Sequence, residues 1–206
     1  MKGKDVKKLL ATVICIITVI TVSGCDFFSA NDSIAKTNNT IVKAYTALEE
    51  NLSQRGKENY DLYGAKLVVN SENVGIFTYV YTNKRPDETK YSDILIVEVN
   101  NRTGKIEKCS APDWDEYGTM PYELISSAMP LVPSQFKTDS DTAMQNAALA
   151  HQNSGFVYNY VELTLCYKDG MAIYDVGHIS LINNCVYKSI IDIDTGEVIN
   201  KWTEEL

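Results

Sequence analysis

Apolar and polar positions alternate along the chain in two distinct rhythms. From Ile34 to about Gln54 apolar residues recur at spacings of three, four and seven (Ile34, Ile41, Val42, Tyr45, Leu48, Leu52). This predicts one helix with an apolar face, stopped by Gly56. Strand signals follow over Tyr63–Val69, Val74–Tyr81, Ile94–Val99 and Lys105–Cys109, where β-branched and aromatic residues are separated by Asn, Gly, Asp and Pro clusters. Residues 110–137 hold four of the five prolines and form a connecting segment, with a short helical piece near Tyr122–Met129. Thr138-Asp139-Ser140-Asp141 then offers N-cap oxygens and negative charge for a second helix. Ala143, Met144, Ala147, Ala148 and His151 share a face of it, and Asn153-Ser154-Gly155 ends it. Strands resume over Val157–Tyr167, Met171–Ile179, Cys185–Ile193 and Val198–Trp202. Between the first two, Asp169-Gly170 tolerates positive φ and predicts a tight hairpin.

Side by side, the halves 34–109 and 138–206 read alike: one helix, then three or four antiparallel strands. Each closes on a similar phrase. The first runs from Ile94 through Val99-Asn100-Asn101-Arg102-Thr103-Gly104-Lys105-Ile106, the second from Ile190 through Asp192-Ile193-Asp194-Thr195-Gly196-Glu197-Val198. Both put an apolar strand before a polar turn centred on Thr-Gly, where Gly supplies a left-handed residue. The pattern predicts a degenerate tandem α+β repeat.

The second half also resembles a known family. Residues 139–202 resemble a PepSY domain, through the helix phrase Asp141-Thr142-Ala143-Met144-Gln145-Asn146-Ala147 and the ending Ile191-Asp192-Ile193-Asp194-Thr195-Gly196-Glu197-Val198-Ile199. The family's aspartate stands three before the Thr, as Asp192 does, and Asp194 falls within its variable pair. Residues 60–109 match only at the final hairpin. The resemblance implies an α+β fold of tandem PepSY-like repeats, each one helix packed on a three- to four-stranded antiparallel sheet. It also implies a non-catalytic extracytoplasmic module of the kind that binds, and sometimes restrains, secreted peptidases. Two copies would further resemble the β-lactamase-inhibitor-protein architecture, an analogy of fold alone.

The start of the chain adds an address. Lys2, Lys4, Lys7 and Lys8 precede an uncharged run, Leu9 to Val22, too short to span a bilayer comfortably. Such a run behind a basic start reads as a signal-peptide h-region. It ends in Thr21-Val22-Ser23-Gly24-Cys25, which resembles a lipobox, with Val22 where the family usually has Leu. The resemblance implies cleavage before Cys25 and lipidation of its thiol with acyl chains such as palmitate, with residues 1–25 as the lipoprotein signal peptide and 26–33 as a tether. The alternative is an uncleaved anchor helix. Either places the body at the extracytoplasmic face of the cell membrane.

Charge narrows the partners. The whole chain has 19 basic and 27 acidic residues; without residues 1–25, 15 and 26 remain, a balance near −11. Such a body has no electrostatic attraction for nucleic acid or anionic lipid. Its 13 tyrosines favour strands. Beyond Cys15 and Cys25 the chain keeps Cys109, Cys166 and Cys185, so at most one intrachain pair forms. Cys166 and Cys185 fall in successive strand-like segments and are the candidate pair; the alternative is three small buried hydrophobes. No CxxC spacing supports a zinc site, and no cofactor is expected.

Catalytic chemistry finds few carriers. Asp194-Thr195-Gly196 spells the aspartic-protease tripeptide, but that chemistry needs a second carboxylate and the matching turn supplies Arg102. His151 and His178 are the only histidines, and neither Gly-x-Ser-x-Gly nor HExxH occurs. Asp113, Trp114, Asp115, Glu116 and Tyr117 form an acidic aromatic loop without EF-hand spacing, which reads as a solvated loop or, alternatively, as a contact loop in which Trp114 and Tyr117 are candidate partner contacts. The expectation is a non-enzymatic binding or regulatory lipoprotein with a protein or peptide partner in the envelope. A structural or assembly role, or a small hydrolase acting through His151 or His178, are the alternatives.

Overall fold

The computed structural model describes residues 40–70, 72, 74–84, 93–125, 129–152 and 155–206. The signal peptide, Cys25, the tether and the sequence-predicted helical turn at 34–39 lie outside the described residues. In chain order come helix α1 (Ile41–Asn51), helix α2 (Gln54–Asn59), strands β1 (Tyr60–Asn70), β2 (Gly75–Asn83), β3 (Ile94–Asn100) and β4 (Ile106–Ser110). Short helices α3 (Trp114–Tyr117) and α4 (Met120–Ile125) follow, then a 3₁₀ turn (Pro133–Gln135) and helix α5 (Ser140–His151). Strands β5 (Tyr160–Lys168), β6 (Met171–Ser180), β7 (Cys185–Asp192) and β8 (Val198–Glu205) complete the chain.

The eight strands form one antiparallel sheet in the order β4-β3-β2-β1-β5-β6-β7-β8. The fold is therefore α+β. Each set of four is a meander, and the sets join edge to edge through their first strands, Ala65–Asn70 of β1 against Leu165–Tyr160 of β5. The two sets are thus not separate sheets but halves of one.

Register fixes which side chains share a face. On one face Leu67, Phe77, Tyr79, Val97, Leu163, Tyr174, Val176 and Ile191 are buried in a single core with Ile41, Ala44, Tyr45 and Leu48 of α1 and Ala143 and Ala147 of α5. Tyrosine hydroxyls tie the helix layer down: Tyr79 Oη donates to the Ile41 carbonyl (2.8 Å), Tyr45 Oη to that of Leu131 (2.6 Å) and Tyr174 Oη to that of Thr138 (3.1 Å). The two long helices meet at their N-termini on Asp139. Its Oδ1 accepts from the N–H groups of Ser140 (2.8 Å) and Val42 (3.0 Å), its other oxygen accepts from the Thr40 hydroxyl, and Ser140 Oγ accepts from the Ile41 N–H (3.0 Å). One carboxylate thus satisfies unpaired donors of both helices.

The opposite face is covered in one half only. Over the first half, Leu124 of α4 packs on Val80, Ile94 and Ile96. Gly64 of β1 makes room for it, since a Cβ there would stand 2.8 Å from Leu124 Cβ. The proline-rich segment is accordingly part of the packed body: Leu131 is buried, and its N–H donates to the Leu62 carbonyl (2.7 Å). Over the second half no element covers this face among the described residues.

Two expected boundaries shift. Gly56 does not end the helical region; Ser53 Oγ accepts its N–H (3.1 Å) and starts α2 after a break at Leu52. The fifth strand starts at Tyr160 rather than Val157, because the 155–159 stretch turns its aromatics into a cluster with the histidines.

Candidate binding face

Alternation along β1, β5, β6, β7 and β8 assigns the open face. Its rows across the sheet are Tyr160–Ile179–Val186–Glu204, then Val68–Glu162–Gly177–Lys188–Trp202, then Lys66–Thr164–Asp175–Ile190–Asn200. A solvated antiparallel face carries mostly polar residues. Here Val68 (42 % exposed) and Tyr160 (43 %) stand open, and Ile179, Val186, Ile190 and Trp202 are half-buried. Two ion pairs cross the face, Lys66–Glu162 (3.4 Å) and Lys188–Asp175 (3.5 Å). Gly177 lets the Lys188 side chain lie flat, its Nζ 3.5 Å from where a Cβ would be. The result is a mixed surface on which six apolar side chains, with Tyr160 and Trp202 near two margins, stand among polar ones, and four of its charges are paired with one another. That composition suits a protein surface, where aromatic anchors carry much of the affinity, better than a small molecule, which needs concavity.

The acidic aromatic loop is arranged differently from expectation. Tyr117 is half-buried rather than presented outward. Its hydroxyl donates to Glu98 Oε1 (2.8 Å), its ring packs beside Val80, Ile94, Ile96 and Leu124, and the Lys108 amine lies 5.0 Å from its centroid. Burial, reinforced by Glu98, pushes its phenol up to about 12. Tyr117 is thus a packing residue that holds α3 to the edge of the sheet, and Trp114 begins that helix.

The candidate disulfide is overturned. Cys109, Cys166 and Cys185 are free thiols. β6 separates the candidate pair: Cys166 stands across from Ile173 and Cys185 across from Ser180. Seven residues along a strand is about 23 Å, on opposite faces, whereas a disulfide needs Cα atoms within about 7 Å. Burial pushes the Cys166 thiol up to about 11.

Both histidines are buried on the helix side. His151 Nε2 lies 3.0 Å from the Lys188 carbonyl and 3.2 Å from Ser189 Oγ. This histidine–serine pair has the right atoms for nucleophilic chemistry, but Ser189 is fully buried beneath α5. His178 packs edge-on against Phe156 (5.1 Å) and Tyr158 (4.7 Å), and its Nδ1 has no hydrogen-bond partner among the described residues. Burial, with a smaller push from His151, lowers its pKa to about 4.

Asp194-Thr195-Gly196 is a turn, and it copies the other one bond for bond. Asp192 Oδ1 accepts the N–H groups of Asp194 and Thr195 (2.8 Å each), as Asn100 Oδ1 accepts those of Arg102 and Thr103 (3.0 Å each). The Gly196 N–H donates to the Asp192 carbonyl and the Gly104 N–H to that of Asn100 (2.9 Å each). Thr195 and Thr103 hydroxyls each accept from the residue after the Gly (3.2 Å). Gly196 and Gly104 sit at φ 75° and 69°. Asp194 is exposed at the tip and faces no second carboxylate loop. A cavity of about 490 Å³ beside this turn, lined by Gln135, Lys137, Tyr167, Asp192 and Asp194, is polar and open, and its Asp192 carboxylate is already used by the turn.

Comparison with known proteins places the fold. No known protein family matches the chain, and no curated protein matches it by sequence. A crystal structure of a candidate lipoprotein from Clostridium difficile 630 is similar, with a TM-score of 0.52 at 12 % identity, covering 84 % of this chain and 100 % of that one. The likeness is one of fold.

Proposed function

We propose that this chain is a lipid-anchored extracytoplasmic binding protein, and that its partner is a protein or peptide of the cell envelope seated on the open face of the second half. The observation that carries this reading is that no element among the described residues covers Val68, Tyr160, Ile179, Val186, Ile190 and Trp202, whereas α4 covers the same face in the first half. Anchoring rests on the basic start, the apolar run and the lipobox-like Thr21–Cys25, and the similar fold of a candidate lipoprotein supports it. The PepSY resemblance of residues 139–202, with the repeated turn, favours a regulatory partner such as a secreted peptidase. The matched turns also favour reading the halves as two copies of one unit.

The test compares capture from the envelope by the full chain and by two variants. Val68→Ser combined with Tyr160→Ser should abolish capture of the partner, while Leu149→Ser, on the exposed side of α5, should leave it intact. Equal capture by all three would remove the open face from the account. Mass spectrometry of the mature N-terminus should show a diacylated Cys25; an intact Met1 in the membrane fraction would reduce the anchor to an uncleaved helix.

A further inference from the structure

We infer that β8 is a docking edge for an extended, lysine- or arginine-bearing segment, which adds to the sheet as a ninth strand. This deepens the binding role proposed above, and rests on it, by naming a second contact and its chemistry.

The sheet ends in two unlike edges. β4 is five residues long, and α3 is held against it by the Lys108–Glu116 pair and by Tyr117 under the Lys108 amine. β8 is eight residues long, and all of it except Val198 and Trp202 is exposed. Natural proteins shorten, cover or charge an edge because its unpaired N–H and C=O groups recruit strands. The β4 edge follows that rule.

The direction of the free groups on β8 follows from its register. The Leu206 N–H donates to the Asn184 carbonyl (3.1 Å), and β7 pairs Cys185 with Glu205, Val186 with Glu204, Tyr187 with Thr203 and Lys188 with Trp202. In an antiparallel ladder, hydrogen-bonded and non-bonded pairs alternate. Asn200, Trp202 and Glu204 therefore bond to β7, and Lys201, Thr203 and Glu205 direct their backbone groups away from the sheet. Three consecutive outward sites make a short ladder for an added strand.

Charge selects what docks. Lys201 is the strand's only cation, and its ammonium donates to the Ala150 carbonyl at the end of α5 rather than guarding the edge. Glu204 and Glu205 remain exposed, one on each face, with Glu197 exposed ahead of the strand. With a formal charge of −8 on the whole chain, a second copy meets repulsion here and a cationic strand meets attraction.

The probe is a fluorescent eight-residue peptide alternating lysine and valine, offered to the mature lipidated chain in phosphatidylcholine nanodiscs, whose neutral surface does not attract it. Binding should slow deuterium uptake at the Lys201, Thr203 and Glu205 amides. Thr203→Pro removes an outward N–H without breaking a bond to β7, and should weaken binding about fivefold or more, as expected for a lost backbone hydrogen bond. Thr203→Ala should bind as the native chain does. Glu204→Lys with Glu205→Lys should reverse the preference toward a glutamate–valine peptide, a readout that does not depend on how Thr203→Pro folds. The proposal fails if the probe does not bind, if Thr203→Pro and the Glu204/Glu205 variant bind it unchanged, or if alternate N-methylation of the probe makes no difference. It fails equally if cross-linked dimers of the chain form and Thr203→Pro abolishes them, since the occupant is then a second copy. Envelope capture that survives Thr203→Pro but not the Val68/Tyr160 change would sink the edge and spare the face; capture indifferent to all of them would sink the binding role itself.

Discussion

At the scale of single residues, the two Thr-Gly turns differ in the group that caps them, Asn100 in one and Asp192 in the other. Backbone N–H groups, Thr195 first, hold the Asp192 carboxyl below the usual carboxylate range. Its contribution is therefore present above the unfolded carboxylate pKa and lost as pH falls through the lower folded one. Asp192→Asn should change stability little near pH 7 and flatten its decline below about pH 4, whereas Asp192→Ala should cost about 1 kcal/mol near pH 7 and less at pH 3. Urea unfolding of the three chains at pH 7 and pH 3 reads both effects. His178 has the opposite chemistry. With a folded pKa near 4 and an unfolded value of 6.5, it binds its proton more readily unfolded, so stability is full above about pH 6.5 and falls toward pH 4. His178→Phe should remove that fall, worth at most about 3 kcal/mol, as read by urea midpoints at pH 7 and pH 4.5. An unchanged slope would mean that the Nδ1 site is solvated. The turn was legible in sequence because Asx and Gly act on their own neighbours. The burial of both histidines was not, because it depends on Phe156, Tyr158 and Tyr187 arriving from other elements.

At the scale of elements, Asp139 and Gly64 decide how the layers meet. Asp139→Ala removes acceptors from the first turns of α1 and α5 together and should destabilise the protein by about 2 kcal/mol, with loss of helical signal at lower urea. A shift no larger than that of an ordinary surface substitution would show that water replaces the carboxylate at both ends. Gly64→Ala forces a methyl against Leu124 and should cost about 1–3 kcal/mol, which Leu124→Gly, by removing the Cβ that would stand 2.8 Å away, should partly relieve. No relief would place the strain elsewhere. The strands, the Asp169–Gly170 hairpin (φ 52° and 80°) and α5 were readable from local pattern. The α2 restart was hidden because Gly56 reads as a stop unless Ser53 is seen to cap it. The Cys166–Cys185 pairing failed for a related reason, since successive strands suggest adjacency but not register, and register sets end and face.

At the scale of the whole molecule, one sheet carries two unlike halves. Among the described residues, the first is buried on both faces, beneath α1 and beneath α4, and the second only beneath α5. Leu124 and Leu131, from the segment between β4 and α5, make the difference by packing on the first half. Sequence pattern showed two similar halves but not this asymmetry, because the β-branched residues of β5 to β7 look equally ready for burial on either face. Under the proposed anchoring, the open face of the second half is where a partner would be met. The most direct measurement is photo-crosslinking in living cells of the source organism, with a benzophenone amino acid at position 160 on the open face and, separately, at position 149 on α5. The account predicts a discrete adduct from 160 and none from 149. Adducts from both positions alike, or from neither, would contradict it.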